Sequence, residues 1–97
     1  MTLEELITKI AERPGMYLGE TTLNRLDASL LGWMLESDSA DTRATIGGFQ
    51  EWVAKKYRIE SSHSWAQIIR FYASNDVEAI KEAFSLFFEY FKERRHN

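Results

Sequence analysis

The fold of this chain is organised around Arg13-Pro14-Gly15-Met16-Tyr17-Leu18-Gly19, which contains the only proline and two of the five glycines. Pro14 lacks a backbone N–H donor and disfavours the α conformation at Arg13, so a preceding helix must end there. The two glycines can adopt the positive φ angles of a tight connection. Because the three residues between them are apolar, the sequence predicts a connecting loop that packs Tyr17 and Leu18 between helices.

Helical periodicity flanks this stretch on both sides. Thr2 begins a capping box, and apolar residues then follow the 3.6-residue period over residues 3–12. On the other side, Thr21 or Thr22 can cap a second helix, whose apolar stripe is interrupted by Gly32. A glycine inside a helix costs about 1 kcal/mol relative to alanine, and close approach of a neighbouring helix is the expected reason for it.

The second half of the chain predicts three more helices. The first covers residues 46–58, and the other two begin at the capping residues Ser64 and Asn75. Since no segment alternates with a period of two, we expect a single all-α domain over 1–97, a small bundle of four or five amphipathic helices. The expected core residues are Leu6, Ile10, Leu26, Leu30, Trp33, Phe49, Val53, Trp65, Ile69, Phe84 and Phe87.

Composition narrows the class of protein. The chain has 97 residues, 44% of them hydrophobic, no cysteine and a formal net charge of −3. This balance favours a globular protein and disfavours a direct nucleic-acid binder, which would carry a basic stripe. The first residues lack the features of a signal peptide and no apolar run reaches membrane-spanning length, so we expect a cytoplasmic protein with no membrane partner.

Residues suited to catalysis are few. His96 is next to the last residue, and His63 is flanked by Ser62 and Ser64 at a predicted helix start, where a capping role for the serine is the simpler interpretation. Nucleophilic catalysis would need a base oriented by a third group and a separate oxyanion site. No spacing of His, Asp and Glu suits a metal ion. We therefore expect no enzyme activity, no metal and no cofactor.

Four motifs in order resemble one group of proteins: residues 13–19, Leu30-Leu31-Gly32-Trp33, Phe49-Gln50-Glu51-Trp52 and Ser64-Trp65-Ala66-Gln67-Ile68-Ile69. With a phenylalanine-rich final helix, they are similar to small bacterial immunity proteins of contact-dependent growth inhibition and related polymorphic toxin systems. The resemblance implies stoichiometric binding to the C-terminal domain of a cognate toxin, often a nuclease. The stretch 13–19 alone also resembles a run in the ATPase domain of the DNA gyrase B subunit, but that family's nucleotide-binding motifs are absent.

A nuclease surface is basic because it holds phosphates, so an acidic inhibitor gains from charge complementarity. Residues 36–42 form a predicted acidic loop, in which Glu36, Asp38 and Asp41 are the first candidates for toxin binding. Glu60 and His63 are the second candidates for toxin binding. Such a charged run is also typical of a solvated loop. The alternative function is a self-associating helical structural or regulatory protein, with a homodimer left open, and an enzyme would require an organised carboxylate partner for His63.

Overall fold

The computed structural model describes residues 2–37, 40–60 and 63–96, and all regular structure in them is helical. This confirms the all-α fold. The described residues form six helices rather than four or five, because the stretch after Arg13 forms a helix of its own. The helices are α1 (Leu3–Glu12), α2 (Pro14–Leu18), α3 (Leu23–Ser37), α4 (Ala40–Lys56), α5 (Trp65–Tyr72) and α6 (Asp76–His96).

The predicted connecting loop is instead the short helix α2. Pro14 occupies the first turn of α2, where backbone N–H groups have no acceptor within the helix, so its missing N–H costs no hydrogen bond. Gly19 ends the helix with a φ of 74°. Leu18 is buried as predicted. The prediction for Tyr17 is wrong, since its side chain is 47% exposed. A single helical turn directs only one of its apolar residues, Leu18, toward the core.

Four helix starts match the capping residues in the sequence, beginning with Thr2, which forms the predicted capping box of α1 with Glu5. Thr22 Oγ1 accepts a hydrogen bond from the Arg25 backbone N–H at 3.2 Å. Ser64 forms a capping box at the start of α5, and Asn75 Oδ1 accepts from the backbone N–H of Glu78 at 2.9 Å. These side chains satisfy N–H groups that have no partner within the helix.

The boundary between α3 and α4 differs from the prediction of an acidic loop over residues 36–42. Glu36 lies within α3 and Asp41 in the first turn of α4, which begins six residues before the predicted start. The first turns of α4 were missed because threonines, not apolar residues, form their buried face. Thr42 and Thr45 are buried, and Thr45 donates its hydroxyl to the Asp41 carbonyl at 2.8 Å.

Phe49 lies at the centre of the core and is fully buried. Its ring stacks on that of Phe87 at 3.9 Å between centroids and meets the Trp65 and Tyr90 rings edge-on at 5.5 and 5.4 Å. Aromatic pairs in these geometries add to the free energy of burial. Of the eleven predicted core residues eight are buried, and the exceptions, at the core edge and only partly buried, are Leu6, Trp33 and Phe84.

Close helix packing occurs at a different glycine from the predicted one. Gly32 is exposed, and a Cβ added there would meet no atom within 4 Å, so the expectation of a close neighbouring helix is wrong. On α4, a Cβ at Gly48 would overlap the Tyr90 hydroxyl. That hydroxyl donates a hydrogen bond to the Thr45 carbonyl at 3.3 Å, so the glycine leaves room for a buried α4–α6 contact.

The neighbouring glycine gives a matched pair of variants. Gly47 lies in the same helix, and a Cβ there would meet nothing within 4 Å. Gly47→Ala is expected to raise the free energy of unfolding by roughly 0.5–1 kcal/mol, because alanine loses less backbone entropy in a helix. Gly48→Ala should lack this gain, since the Tyr90 ring must move. Urea denaturation of both variants measures the difference, and equal gains would contradict the packing role of Gly48.

Candidate functional site

Several large apolar side chains remain exposed on the folded chain, and two of them are adjacent aromatic rings. Phe71 is 81% exposed and Tyr72 is 52% exposed at the end of α5. Scattered exposed apolar residues are ordinary, but a contiguous patch often marks a binding surface. The rings at the end of α5 are such a patch, and the surface around them is concave.

We call this patch the aromatic surface and define it by Tyr57, Ile59, His63, Phe71 and Tyr72. The Tyr72 ring stacks on that of Tyr57 at 4.9 Å and meets the Phe71 ring nearly perpendicularly at 5.1 Å. Ile59 and His63 line a hollow with Phe71 and Tyr72. The aromatic surface therefore combines the segment that directly follows α4 with the end of α5.

Two hollows have the Tyr72 side chain in their walls. The apolar hollow has a volume of about 210 Å³, and the acidic hollow, between α4, α5 and α6, has a volume of about 310 Å³. The apolar hollow is lined by Ile59, His63, Gln67, Ile68, Phe71 and Tyr72. The acidic hollow is lined by Tyr57, Ile69, Tyr72, Ala73, Ser74, Glu78 and Glu82.

The sequence of α5 explains why its rings face outward. Trp65, Ile68 and Ile69 fill the core side of this eight-residue helix and are buried. Phe71 is three residues after Ile68 but two after Ile69 and six after Trp65, so it projects from the helix away from the centre of the buried stripe. Tyr72 continues the spacing of the buried stripe, three residues after Ile69 and four after Ile68, but it is the last residue of α5 and is 52% exposed.

Gln50 of α4 holds the start of α5 in place. Its side-chain amide donates to the His63 carbonyl at 2.8 Å, and its amide oxygen accepts from the Trp65 backbone N–H. At the other side of α5, the Arg70 guanidinium donates to Asn24 of α3. These bonds fix α5 relative to α3 and α4, and so they fix the position of the aromatic surface.

The backbone after α4 turns sharply. Arg58 adopts a φ of 57°, which few residues other than glycine adopt, and the Ile59 backbone N–H donates to the Ala54 carbonyl at 2.8 Å. This turn ends the helix and directs Ile59 back against the core, where it is partly buried. Ile59 thereby forms one wall of the apolar hollow.

A hydrogen bond links the aromatic surface to a carboxylate of α6. The Tyr57 hydroxyl donates to Glu82 Oε1 at 3.1 Å. Burial, together with the negative charge of Glu82, raises the pKa of Tyr57 to about 12. The hydroxyl therefore stays protonated at neutral pH, and its hydrogen bond holds the Glu82 carboxylate at the edge of the acidic hollow.

Of the five residues that the sequence suggested for partner binding, the structure describes four, and it does not bring all four together. His63 is exposed and lines the apolar hollow, and exposed Glu60 directly follows Ile59 in the same segment. Glu36 is exposed on α3, whereas Asp38 lies outside the described residues. Asp41 is exposed and lines a different cavity, of about 290 Å³, whose walls include Arg94 and Arg95.

Sequence reasoning missed six residues of this region, namely Tyr57, Ile59, Phe71, Tyr72, Glu78 and Glu82. A signal was present for Phe71, because its position two residues after Ile69 and six after Trp65 lies away from the centre of the apolar stripe of α5. No comparable signal exists for the two glutamates. They come next to Tyr57 and Tyr72 only through packing of α6 against α4 and α5.

Within residues 2–37, 40–60 and 63–96, no group of three or more His, Asp or Glu side chains is placed to hold a metal ion. In the same part of the chain, no helix combines the length and apolar character needed to cross a membrane. Comparison of the chain with protein-family models, curated proteins and solved structures gave no match. The geometry of the surface is therefore the main guide to function.

Proposed function

We propose that this chain is an immunity protein, which binds the C-terminal domain of a cognate toxin of nuclease type in the bacterial cytoplasm and neutralises it stoichiometrically. The observation that carries the proposal is the exposed aromatic surface, in which Phe71 is 81% exposed beside two hollows. The resemblance of four sequence motifs to immunity proteins supports the same function.

An aromatic patch of this shape suits protein recognition. Binding energy at protein interfaces is concentrated in a few central side chains, among which tyrosine is enriched, and these pack into pockets on the partner. Tyr72 is already held against Tyr57, so little side-chain entropy is lost when a partner covers it. Phe71 projects from the same helix end and supplies an apolar anchor.

Charge around the aromatic surface favours a basic partner. Exposed Glu60, Glu78 and Glu82 lie beside or within the hollows, and the whole chain carries a net charge of −3. A nuclease domain is basic where it holds phosphates, so complementary charges would accelerate association and select the correct partner. The cavity that Asp41 lines is of mixed charge, since it also contains Arg94 and the ion pair between Glu4 and Arg95, and for this reason we place the interface at the aromatic surface.

Co-expression with the product of the gene immediately upstream, which the proposal expects to encode the toxin, tests this function. The intact chain is expected to co-purify with the toxin domain in a 1:1 complex and to restore growth to cells that produce the toxin. The double variant Glu36→Gln/Asp41→Asn tests the alternative that the interface lies at these two carboxylates. Because we place the interface at the aromatic surface, this variant should protect cells as well as the parent chain does. Growth arrest despite full expression of the folded chain would contradict the proposal.

Self-association is the second candidate function, and one observation favours it. Leu31 and Leu35 lie four residues apart on α3 and are 58% and 75% exposed. Residues at this spacing share a helix face, so they form an apolar strip that a second copy could cover. Size-exclusion chromatography with light scattering measures the mass in solution. A dimer that Leu31→Glu/Leu35→Glu converts to a folded monomer would establish this contact.

A further inference from the structure

We infer that the exposed face of α3 is the interface of a two-fold symmetric homodimer, in which α3 of one copy packs antiparallel against α3 of the second copy. Arg25 near the start of each helix then pairs with Glu36 near the end of the other, so the same ion pair forms twice. This inference goes beyond the proposed function and does not depend on it. It also gives an orientation to the contact at Leu31 and Leu35.

The centre of this face is an apolar strip, which we call the α3 strip and define by Ala28, Leu31, Gly32 and Leu35. These residues follow one another at spacings of three and four, so they share one side of the helix. All four are exposed in the part of the chain that the structure describes, whereas the leucines that α3 contributes to the core point to the other side. Burial of Leu31 and Leu35 from both copies would stabilise a dimer.

Two members of the α3 strip are small, which permits close packing of two helices. The axes of packed helices lie about 8–10 Å apart, and small residues at the crossing give the shorter distances. A glycine weakens a helix relative to alanine, and no described atom lies within 4 Å of a Cβ built on Gly32. In an antiparallel pair centred near residue 31, Leu35 of each copy lies against Ala28 of the other. A large side chain therefore faces a small one at both ends of the strip.

The charges at the two ends of the α3 strip identify a second copy as its occupant. Arg25 lies three residues before Ala28, and Glu36 lies four residues after Gly32, so a cation and an anion on the same side of the helix are about 16 Å apart. Both side chains are exposed, and neither forms an ion pair within residues 2–37, 40–60 and 63–96. The face is therefore complementary in charge to a reversed copy of itself.

The positions of these two charges are unfavourable for α3 alone. Arg25 is in the first turn, where the helix dipole favours an acidic residue, and Glu36 is in the last turn, where the dipole favours a basic one. In an antiparallel dimer each charge lies beside the opposite charge of the second copy. The contact between copies thus supplies the compensation that the helix itself lacks.

The same charges select the antiparallel orientation over the parallel one. A parallel pair would place Arg25 against Arg25 and Glu36 against Glu36, and like charges that face each other across an interface oppose binding. Exposed ion pairs add little affinity, so the leucines supply most of the binding energy and the charged ends set the orientation. The α3 strip shares no residue with the aromatic surface, so one toxin domain per chain remains the expected stoichiometry.

Sedimentation equilibrium of the purified chain at low salt, at concentrations up to about 500 µM, tests the dimer. A contact made by one helix from each copy should bury less than the roughly 800 Å² per partner of a standard interface, so we expect a Kd on the order of 10–100 µM. A chain that remains monomeric at the highest concentration would overturn the inference.

Charge reversal tests the orientation. Arg25→Glu and Glu36→Arg should each raise the Kd at least about tenfold, because the two-fold axis converts both ion pairs into like-charge contacts. The two variants change the net charge in opposite directions, so a general charge effect does not explain a loss in both. Each new residue also suits its end of the helix dipole, so both variants should fold, which circular dichroism checks.

The double variant Arg25→Glu/Glu36→Arg is the matched control, because it keeps the parent's net charge of −3 and exchanges the two charges. It should recover a Kd within about threefold of the parent value, since both ion pairs form again with their signs reversed. Unchanged dimerisation of the single variants, or a double variant as weak as they are, would overturn the antiparallel arrangement.

Discussion

Phe49→Ala is expected to destabilise the folded chain by about 3–5 kcal/mol, because it removes the ring at the centre of the core and leaves a cavity. Phe49 is fully buried and contacts rings from α5 and α6, so neighbouring side chains from three helices lose packing at once. Domains of this size are stable by only about 5–15 kcal/mol. The variant should therefore unfold at a much lower urea concentration, which circular dichroism measures.

Phe71→Ala is the matched control for that measurement, since it removes the same atoms from a ring that is 81% exposed. Its free energy of unfolding should lie within about 0.5 kcal/mol of the parent value. A loss below about 1 kcal/mol for Phe49→Ala, or equal losses for the two variants, would contradict the central position of Phe49.

The fold was largely predictable because most of its determinants are local. Capping residues such as Ser64 and Asn75 satisfy backbone donors within one turn, and the apolar spacing marks the inward face of each helix. The errors arose where the pattern depends on packing. Thr42 and Thr45 are polar by type but buried by position, so the start of α4 carried no apolar signal.

The stretch that begins at Pro14 shows the limit of arguments from local conformation. A proline does end the preceding helix, but its fixed φ also suits the first turn of a new one, and sequence alone did not distinguish these outcomes. Gly32 and Gly48 show a related limit. Both interrupt helical patterns, yet only Gly48 lies opposite a buried tyrosine of a distant helix.

Less of the candidate site was predictable, because it is assembled from three separate parts of the chain. His63 and Glu60 attracted attention through their residue types, and both lie at or next to the aromatic surface. The position of Glu82 beside Tyr57 depends on how α6 packs against α4, which no local pattern specifies. Net charge led to the expectation of a basic partner, but it does not indicate which face such a partner would meet.

Phe71→Ala is expected to weaken binding of the toxin domain by at least about 30-fold, which corresponds to the roughly 2 kcal/mol or more that defines an interface hot spot. The side chain costs little when removed from the free protein because it is so exposed, and its contribution should appear only when a partner covers it. Most of the change should lie in the dissociation rate, since an apolar anchor acts after encounter. Isothermal titration calorimetry and surface plasmon resonance measure the two quantities.

Leu35→Ala provides the matched control for binding, because Leu35 is 75% exposed but lies on α3, outside the aromatic surface. It should bind the toxin domain as tightly as the parent chain does. If Leu35→Ala weakens binding and Phe71→Ala does not, the interface lies on α3, and the aromatic surface has another role. If the loss at Phe71 appears mainly in the association rate, the ring acts in the encounter and is not a buried anchor, because truncation of a packed apolar side chain should speed dissociation.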